Sequence, residues 1–133
     1  MKKENKVFLG GTCGNIDWRK ELIDKIKIKY FNPVVLNWTS DCIEKEEYEK
    51  WGKCNIHLYV ITYEVTGLYS IVEMMESCYR DSSIQTIFTY LPEGFNELQI
   101  RSLEAIAKKV KNLGGYVCTN LEDTANKINK YNK

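Results

Sequence analysis

A three-layer α/β sandwich is predicted, built on a five-stranded parallel sheet in the order 2-1-3-4-5, flavodoxin-like or more broadly Rossmann-like. Three observations carry it. Short β-rich apolar runs alternate with longer amphipathic segments along the whole chain. The run Asn55 to Thr62 is apolar apart from His57, which suits the covered centre of a parallel sheet. Finally, 133 residues divided in this way leave room for right-handed crossovers between neighbouring strands. In that order strands one and three are adjacent and their connections leave on opposite faces. A ligand is therefore expected in the crevice at their carboxyl ends.

Strand one is read at Lys6 to Gly10. A helix follows from Asp17 to Lys29, with Leu22, Ile23, Ile26 and Tyr30 at helical spacing. Asn32-Pro33 breaks it and introduces strand two, Val34 to Leu36. The next helix, Asp41 to Gly52, is polar and has Trp51 as its apolar anchor. Strand three, Asn55 to Thr62, leads to a helix from Ser70 to Arg80, then to strand four, Ile84 to Thr89. The helix Phe95 to Leu113 carries Leu103, Ile106, Ala107 and Val110 as a core stripe and stops at Gly114-Gly115. Strand five is Tyr116 to Thr119, and a short helix begins at Leu121.

Composition narrows the functional classes. One domain over residues 1–133 is expected, with an apolar fraction of 44% that is ordinary for a globular chain. A net charge of +1, with lysines interleaved among glutamates, speaks against a nucleic-acid partner. No apolar run approaches the roughly 18 residues of a membrane span, and no signal-peptide core follows the charged N-terminus. No membrane association and a cytoplasmic location are expected. The five cysteines (Cys13, Cys42, Cys54, Cys78 and Cys118) form no C-x-x-C pair, and His57 is the sole histidine. Neither a metal site nor a cofactor motif is indicated.

Two strand–loop–helix units converge on the expected crevice. In the first, Gly10-Gly11-Thr12-Cys13-Gly14 resembles a phosphate-cradling turn, because glycines let backbone amides approach an anion near a helix N-terminus. It lacks the Gly-Lys-Ser/Thr of a P-loop and the spacing of a dinucleotide fingerprint, so a plain tight turn is the competing reading. Cys13 either touches a ligand there or packs as a small hydrophobe. Asp17-Trp18-Arg19 opens the following helix. Asp17 caps it, Trp18 packs and Arg19 is a surface charge, or else Asp17 or Arg19 turns to the crevice to hold a hydroxyl or phosphate. Asn37-Trp38, after strand two, places an aromatic where it could flank a base or line the pocket wall, and a packed tryptophan is the competing reading.

In the second unit, Ser70-Ile71-Val72-Glu73 matches a helix capping box, in which Ser70 caps and Glu73 reaches back. At the switch point it has another use. A first-turn glutamate has its charge favoured by the helix dipole and can attack the anomeric carbon of a sugar. Glu64 offers a second carboxylate as acid or hydroxyl ligand, and Tyr63 and Tyr69 offer hydroxyl groups. Among Glu44, Glu46, Glu47 and Glu49, one residue, with Glu47 preferred, could reach the crevice mouth. His57 reads as a core or edge residue rather than a catalyst.

Together VFLGGTCG, DWR, NPVVLNW, the glutamate-rich helix, CNIHLYVIT and SIVEMMES resemble the nucleoside 2-deoxyribosyltransferase-like family from Val7 to about Tyr79. The resemblance implies that Glu73 is a nucleophile that displaces the base and forms a deoxyribosyl-enzyme, which an acceptor base then attacks. It implies a base and sugar pocket lined by Gly10, Gly11, Thr12, Cys13 and their neighbours. Gly67, Tyr69 and Ser70, before Glu73, are further substrate-binding candidates. It also implies a small-molecule nucleoside or nucleotide partner and a homo-oligomer. Two departures stand out: Asn55 replaces an aspartate common at the start of strand three, and the loop Glu64 to Leu68 carries no aspartate. Hydrolysis of a nucleoside monophosphate or of an NAD-type N-glycoside, and nucleotide binding without chemistry, are the alternatives to base exchange.

Overall fold

The computed structural model describes residues 3–35, 37 and 39–132. Strands β1 (Glu4–Gly11), β2 (Lys29–Phe31), β3 (Cys54–Ile61), β4 (Gln85–Tyr90) and β5 (Tyr116–Cys118) form one five-stranded sheet in the order β2-β1-β3-β4-β5. Every pairing is parallel. Helices α1 (Trp18–Ile23), α2 (Ser40–Glu47), α3 (Tyr69–Arg80), α4 (Glu97–Asn112) and α5 (Leu121–Asn129) connect and flank the strands, and α2 runs on into a π-helical segment, Tyr48–Lys53. The flavodoxin-like order expected from the sequence is the order found.

Strand alternation sorts the core into two layers. From β3, Ile56, Leu58 and Val60 join Val7, Leu9, Trp18, Leu22 and Ile128, beneath α1 and α5. Tyr59 and Ile61 join Met74, Phe88, Leu103 and Val110, beneath α3 and α4. Each fully buried side chain of this kind is worth about 1.5–3 kcal/mol, so an apolar run with both faces covered dictates the centre of the sheet. Because α1 and α3 lie on opposite faces, the chain parts at the ends of β1 and β3 and leaves a crevice there.

Two boundaries depart from the sequence reading. Helix α1 stops at Ile23 rather than Lys29, and β2 is Lys29–Phe31 rather than Val34 to Leu36. Ile26 and Ile28 still pack on the core, while Tyr30 is exposed on the edge strand. Val7 pairs with Tyr30 and Phe8 with Phe31, whose rings stack at 5.9 Å. β-branched and aromatic residues in alternation favour the strand over the helical spacing they also fit. Pro33, which has no N–H to donate, falls just beyond the edge strand. Leu36 lies outside the described residues.

The second polar helix also changes character. Its α-helical part ends at Glu47, and its buried members are Glu49 and Lys50 in the π-helical turn, while Trp51 is only half-buried. At α4 the chain follows its local signals. Asn96 and Gln99 close a capping box on α4, and Gly114 leaves the helix with φ +91°. No helix among the described residues is long and apolar enough to cross a membrane.

Candidate active site

The β1–α1 loop is drawn tightly against β3. A Cβ on Gly11 would stand 2.1 Å from the Val60 carbonyl oxygen, and its φ of +124° is one that L side chains avoid. Thr12 N–H donates to the Val60 carbonyl at 2.8 Å, and Thr62 N–H donates to Thr12 Oγ1 at 3.0 Å. From α1, the buried Arg19 guanidinium donates to the carbonyls of Leu9, Thr12 and Gly11 at 3.0, 3.0 and 3.2 Å. It also lies 4.2 Å over the Trp18 ring, whose Nε1–H donates to the Thr12 carbonyl. Burial lowers the Arg19 pKa, although a guanidinium stays charged in proteins. Asp17 caps α1 by accepting from Lys20 N–H at 3.2 Å.

The anion that this loop holds is the protein's own. Both oxygens of Glu64 accept backbone hydrogen bonds, from Asn15 at 2.9 Å and Ile16 at 2.7 Å. Gly14 makes room, since a Cβ there would sit 2.7 Å from Glu64 Oε1. Glu64 is thus a strut between the two loops, and it does not line the hollows at the crevice. Tyr63 likewise turns away, with its ring against Gly94.

Across the crevice, α3 begins at Tyr69 with no side-chain cap and no acidic residue in its first turn. The capping box fails to form, and Glu73 sits in the second turn, beyond the reach of most of the helix-terminus field. Its Oε2 is instead 2.5 Å from Lys50 Nζ, on a lysine that is 3% exposed and also lies over the Phe8 ring at 5.1 Å. Glu46, on the same side of the crevice, has its pKa raised first by burial and then by the negative charge of Glu73, with Lys50 opposing. Glu46, not Glu47, is therefore the member of the acidic run that reaches the crevice, because Glu47 is exposed and absent from its walls.

Two adjoining hollows share Gly11, Cys13, Ser70 and Glu73. One, of about 290 Å³, adds Phe8, Gly10, Arg19, Pro33, Val34, Val35 and Glu46. The other, of about 250 Å³, adds Thr12, Val65, Thr66, Gly67 and Tyr69. Taken together they fall within the range of about 300–1,000 Å³ usual for small-molecule sites. A separate hollow of about 320 Å³ lies at the amino ends of β4 and β5, away from the topological switch point.

Of the residues singled out in the sequence, Gly10, Gly11, Thr12, Cys13, Arg19, Gly67, Tyr69, Ser70 and Glu73 come together around these hollows. Asp17, Trp18, Tyr63 and Glu64 serve the scaffold, and Asn37 is exposed and does not border the crevice. Trp38 lies outside the described residues. Sequence reading missed Lys50, and named Glu46 only as one of a run. Their i, i+4 spacing was the one available signal, and it is equally that of a solvated ion pair. Among the described residues no three His, Cys, Asp or Glu side chains gather in a way that would hold a metal ion.

The fold is a doubly wound parallel sheet with a carboxylate and its counter-ion at the switch-point crevice, the place where open α/β sheets generally bind ligands. Residues 4–89 match the sequence model of the "Nucleoside 2-deoxyribosyltransferase like" family, so the chain belongs to that family. The matched span holds both crevice walls, from β1 to the end of α3 and into β4. No curated protein and no solved structure matches the chain significantly.

Proposed function

We propose that this protein cleaves the N-glycosidic bond of a deoxynucleoside by way of a covalent ester on Glu73, and passes the sugar to an acceptor base. The observation that carries this reading is Glu73 standing between two hollows, with the raised-pKa Glu46 bordering only one of them. The base would lie in the hollow with Glu46, against the apolar wall of Phe8, Pro33 and Val34. The sugar would lie in the hollow that offers the hydroxyl groups of Thr66, Tyr69 and Ser70. Glu73 Oε1 attacks C1′, the C1′–N bond breaks, and the departing nitrogen takes the proton of Glu46. In the second half, Glu46 takes a proton from the acceptor N–H, the acceptor attacks C1′, and Glu73 leaves as a carboxylate. The Glu64 carboxylate already fills the amides of Asn15 and Ile16, which favours a free 5′-hydroxyl over a phosphate at that loop.

The test is to incubate the protein with each deoxynucleoside and a second free base, and to separate the products by chromatography. Exchanged nucleoside is the expected result. Free deoxyribose formed without an acceptor would turn the reading to hydrolysis. Intact substrate with every nucleoside and its monophosphate would overturn it. Glu73→Gln should lower kcat by about 10⁴-fold or more, as losses of a nucleophile do, while the folded state persists.

A further inference from the structure

Lys50 is a buried charged side chain behind the crevice wall, against Glu73 and the Phe8 ring, and two features hold it there. The π-helical segment Tyr48–Lys53 turns Lys50 inward, and such segments often occur at functional sites. Beneath it, Tyr59 O–H donates to Ser77 Oγ at 2.7 Å, Ser77 O–H donates to His57 Nδ1 at 2.8 Å, and His57 Nε2–H donates to the Lys50 carbonyl at 2.5 Å. The carbonyl can only accept, which assigns the proton to Nε2 and makes every donor in the row point the same way. His57 and Ser77 are fully buried.

Resting on the reading of Glu73 as nucleophile and Glu46 as acid, we propose that Lys50 is a positioning residue that serves the two carboxylates in turn, holding Glu73 before the ester forms and Glu46 while it lasts. The charge count supports this. When Glu73 Oε1 bonds to C1′, its negative charge is consumed. When Glu46 yields its proton to the leaving base, a negative charge appears there. The buried ammonium therefore faces one carboxylate at every stage and is never left alone, a state that costs several kcal/mol for a buried ion. Pairing through Oε2 also orients Glu73 so that Oε1 is the attacking atom. Glu46 lines the same hollow as Glu73 and lies four residues before Lys50 on the continuous helical segment. Burial and then Glu73 raise its pKa, and Lys50 lowers it.

Double-mutant cycles on urea unfolding test the pairing without any substrate. Lys50→Met and Glu73→Gln should be coupled by about tenfold or more in the unfolding constant. The Lys50/Glu46 coupling, measured with Glu46→Gln, should rise at least about threefold when Glu73 is replaced by the uncharged Gln. No rise in that background overturns the hand-over. Should Lys50→Met fail to fold, Lys50→Gln retains a donor and removes the charge. With substrate, Lys50→Met should lower kcat by about 10²–10³-fold, with KM within threefold, and Lys50→Arg should recover part of the loss. A change in KM alone overturns the positioning role. A wild-type protein that cleaves no nucleoside overturns the proposed reaction instead, and the cycles then still decide whether Lys50 changes partner.

Discussion

The two strand–loop–helix units that meet at the crevice are built in opposite ways. The β1–α1 unit commits its polar groups to the scaffold: Arg19 to three carbonyls of its own loop, Thr12 to Val60 and Thr62, Asp17 to the helix start, and the amides of Asn15 and Ile16 to Glu64. In the β3–α3 unit only the start of the loop, at Thr62 and Glu64, is tied down in this way. Its helix has no side-chain cap, a Cβ on Gly67 would meet nothing within 4 Å, and Glu73 is held from below by a lysine of another segment. A rigid wall thus faces one whose side-chain groups stay available to a ligand. Preorganisation on one side and uncommitted polar groups on the other is a sensible division for a crevice that is proposed to take up and release a small ligand.

Breaking the rigid wall should cost the most. Gly11→Ala forces a Cβ into the Val60 carbonyl at a left-handed φ, and about 3–5 kcal/mol of stability should be lost. Thermal unfolding would register this as a drop of more than about 10 °C. A shift of only a degree or two would mean that the loop can move off β3.

Acid attacks the other unit from underneath. Burial lowers the His57 pKa from 6.5 to about 4, so the folded protein keeps it neutral where the unfolded chain would protonate it. Its contribution is whole above pH 6.5 and is lost as pH falls towards 4, on the order of 3 kcal/mol in all. Urea midpoints measured across that window should fall with acid, and His57→Gln should flatten the fall. An equal slope in the variant would assign the acid lability elsewhere.

Smaller effects sharpen the contrast between the two loops. Glu64→Gln retains one acceptor but loses charge-assisted bonds in a partly exposed loop, so about 1 kcal/mol should go. Amide exchange at Asn15 and Ile16 should quicken, while the rest of β1 stays protected. Gly67→Ala meets open space and no positive φ, and should change stability by less than about 0.5 kcal/mol. Any effect of it on KM would then report the hollow proposed for the sugar.

Most of the architecture was legible before the structure. Buried apolar runs at β3 and β4 and the stripe on α4 are local patterns, and right-handed crossovers leave few orders for five parallel strands. The position of Glu73 at the crevice was legible because motif and topology point to the same place. The errors share a cause. Ile26 to Phe31 fits both helical and strand periods, and pairing with Phe8 decided between them. Ser70 and Glu73 spell a capping box, but Lys50 offers the carboxylate a full charge in place of one amide.

By itself, the amino-acid sequence determined the layers, the strand order, the family and the residue on which the chemistry is proposed to turn. Periodicity and short motifs encode these within a few residues of each other. Tertiary structure alone decided what surrounds Glu73. Lys50 approaches it across 23 positions of chain and Glu64 reaches Ile16 across 48. The π-helical turn that points Lys50 inward shifts the helical phase with no sequence signature. Electrostatic partners act through space, and where the folded backbone brings distant charges together no local pattern records it.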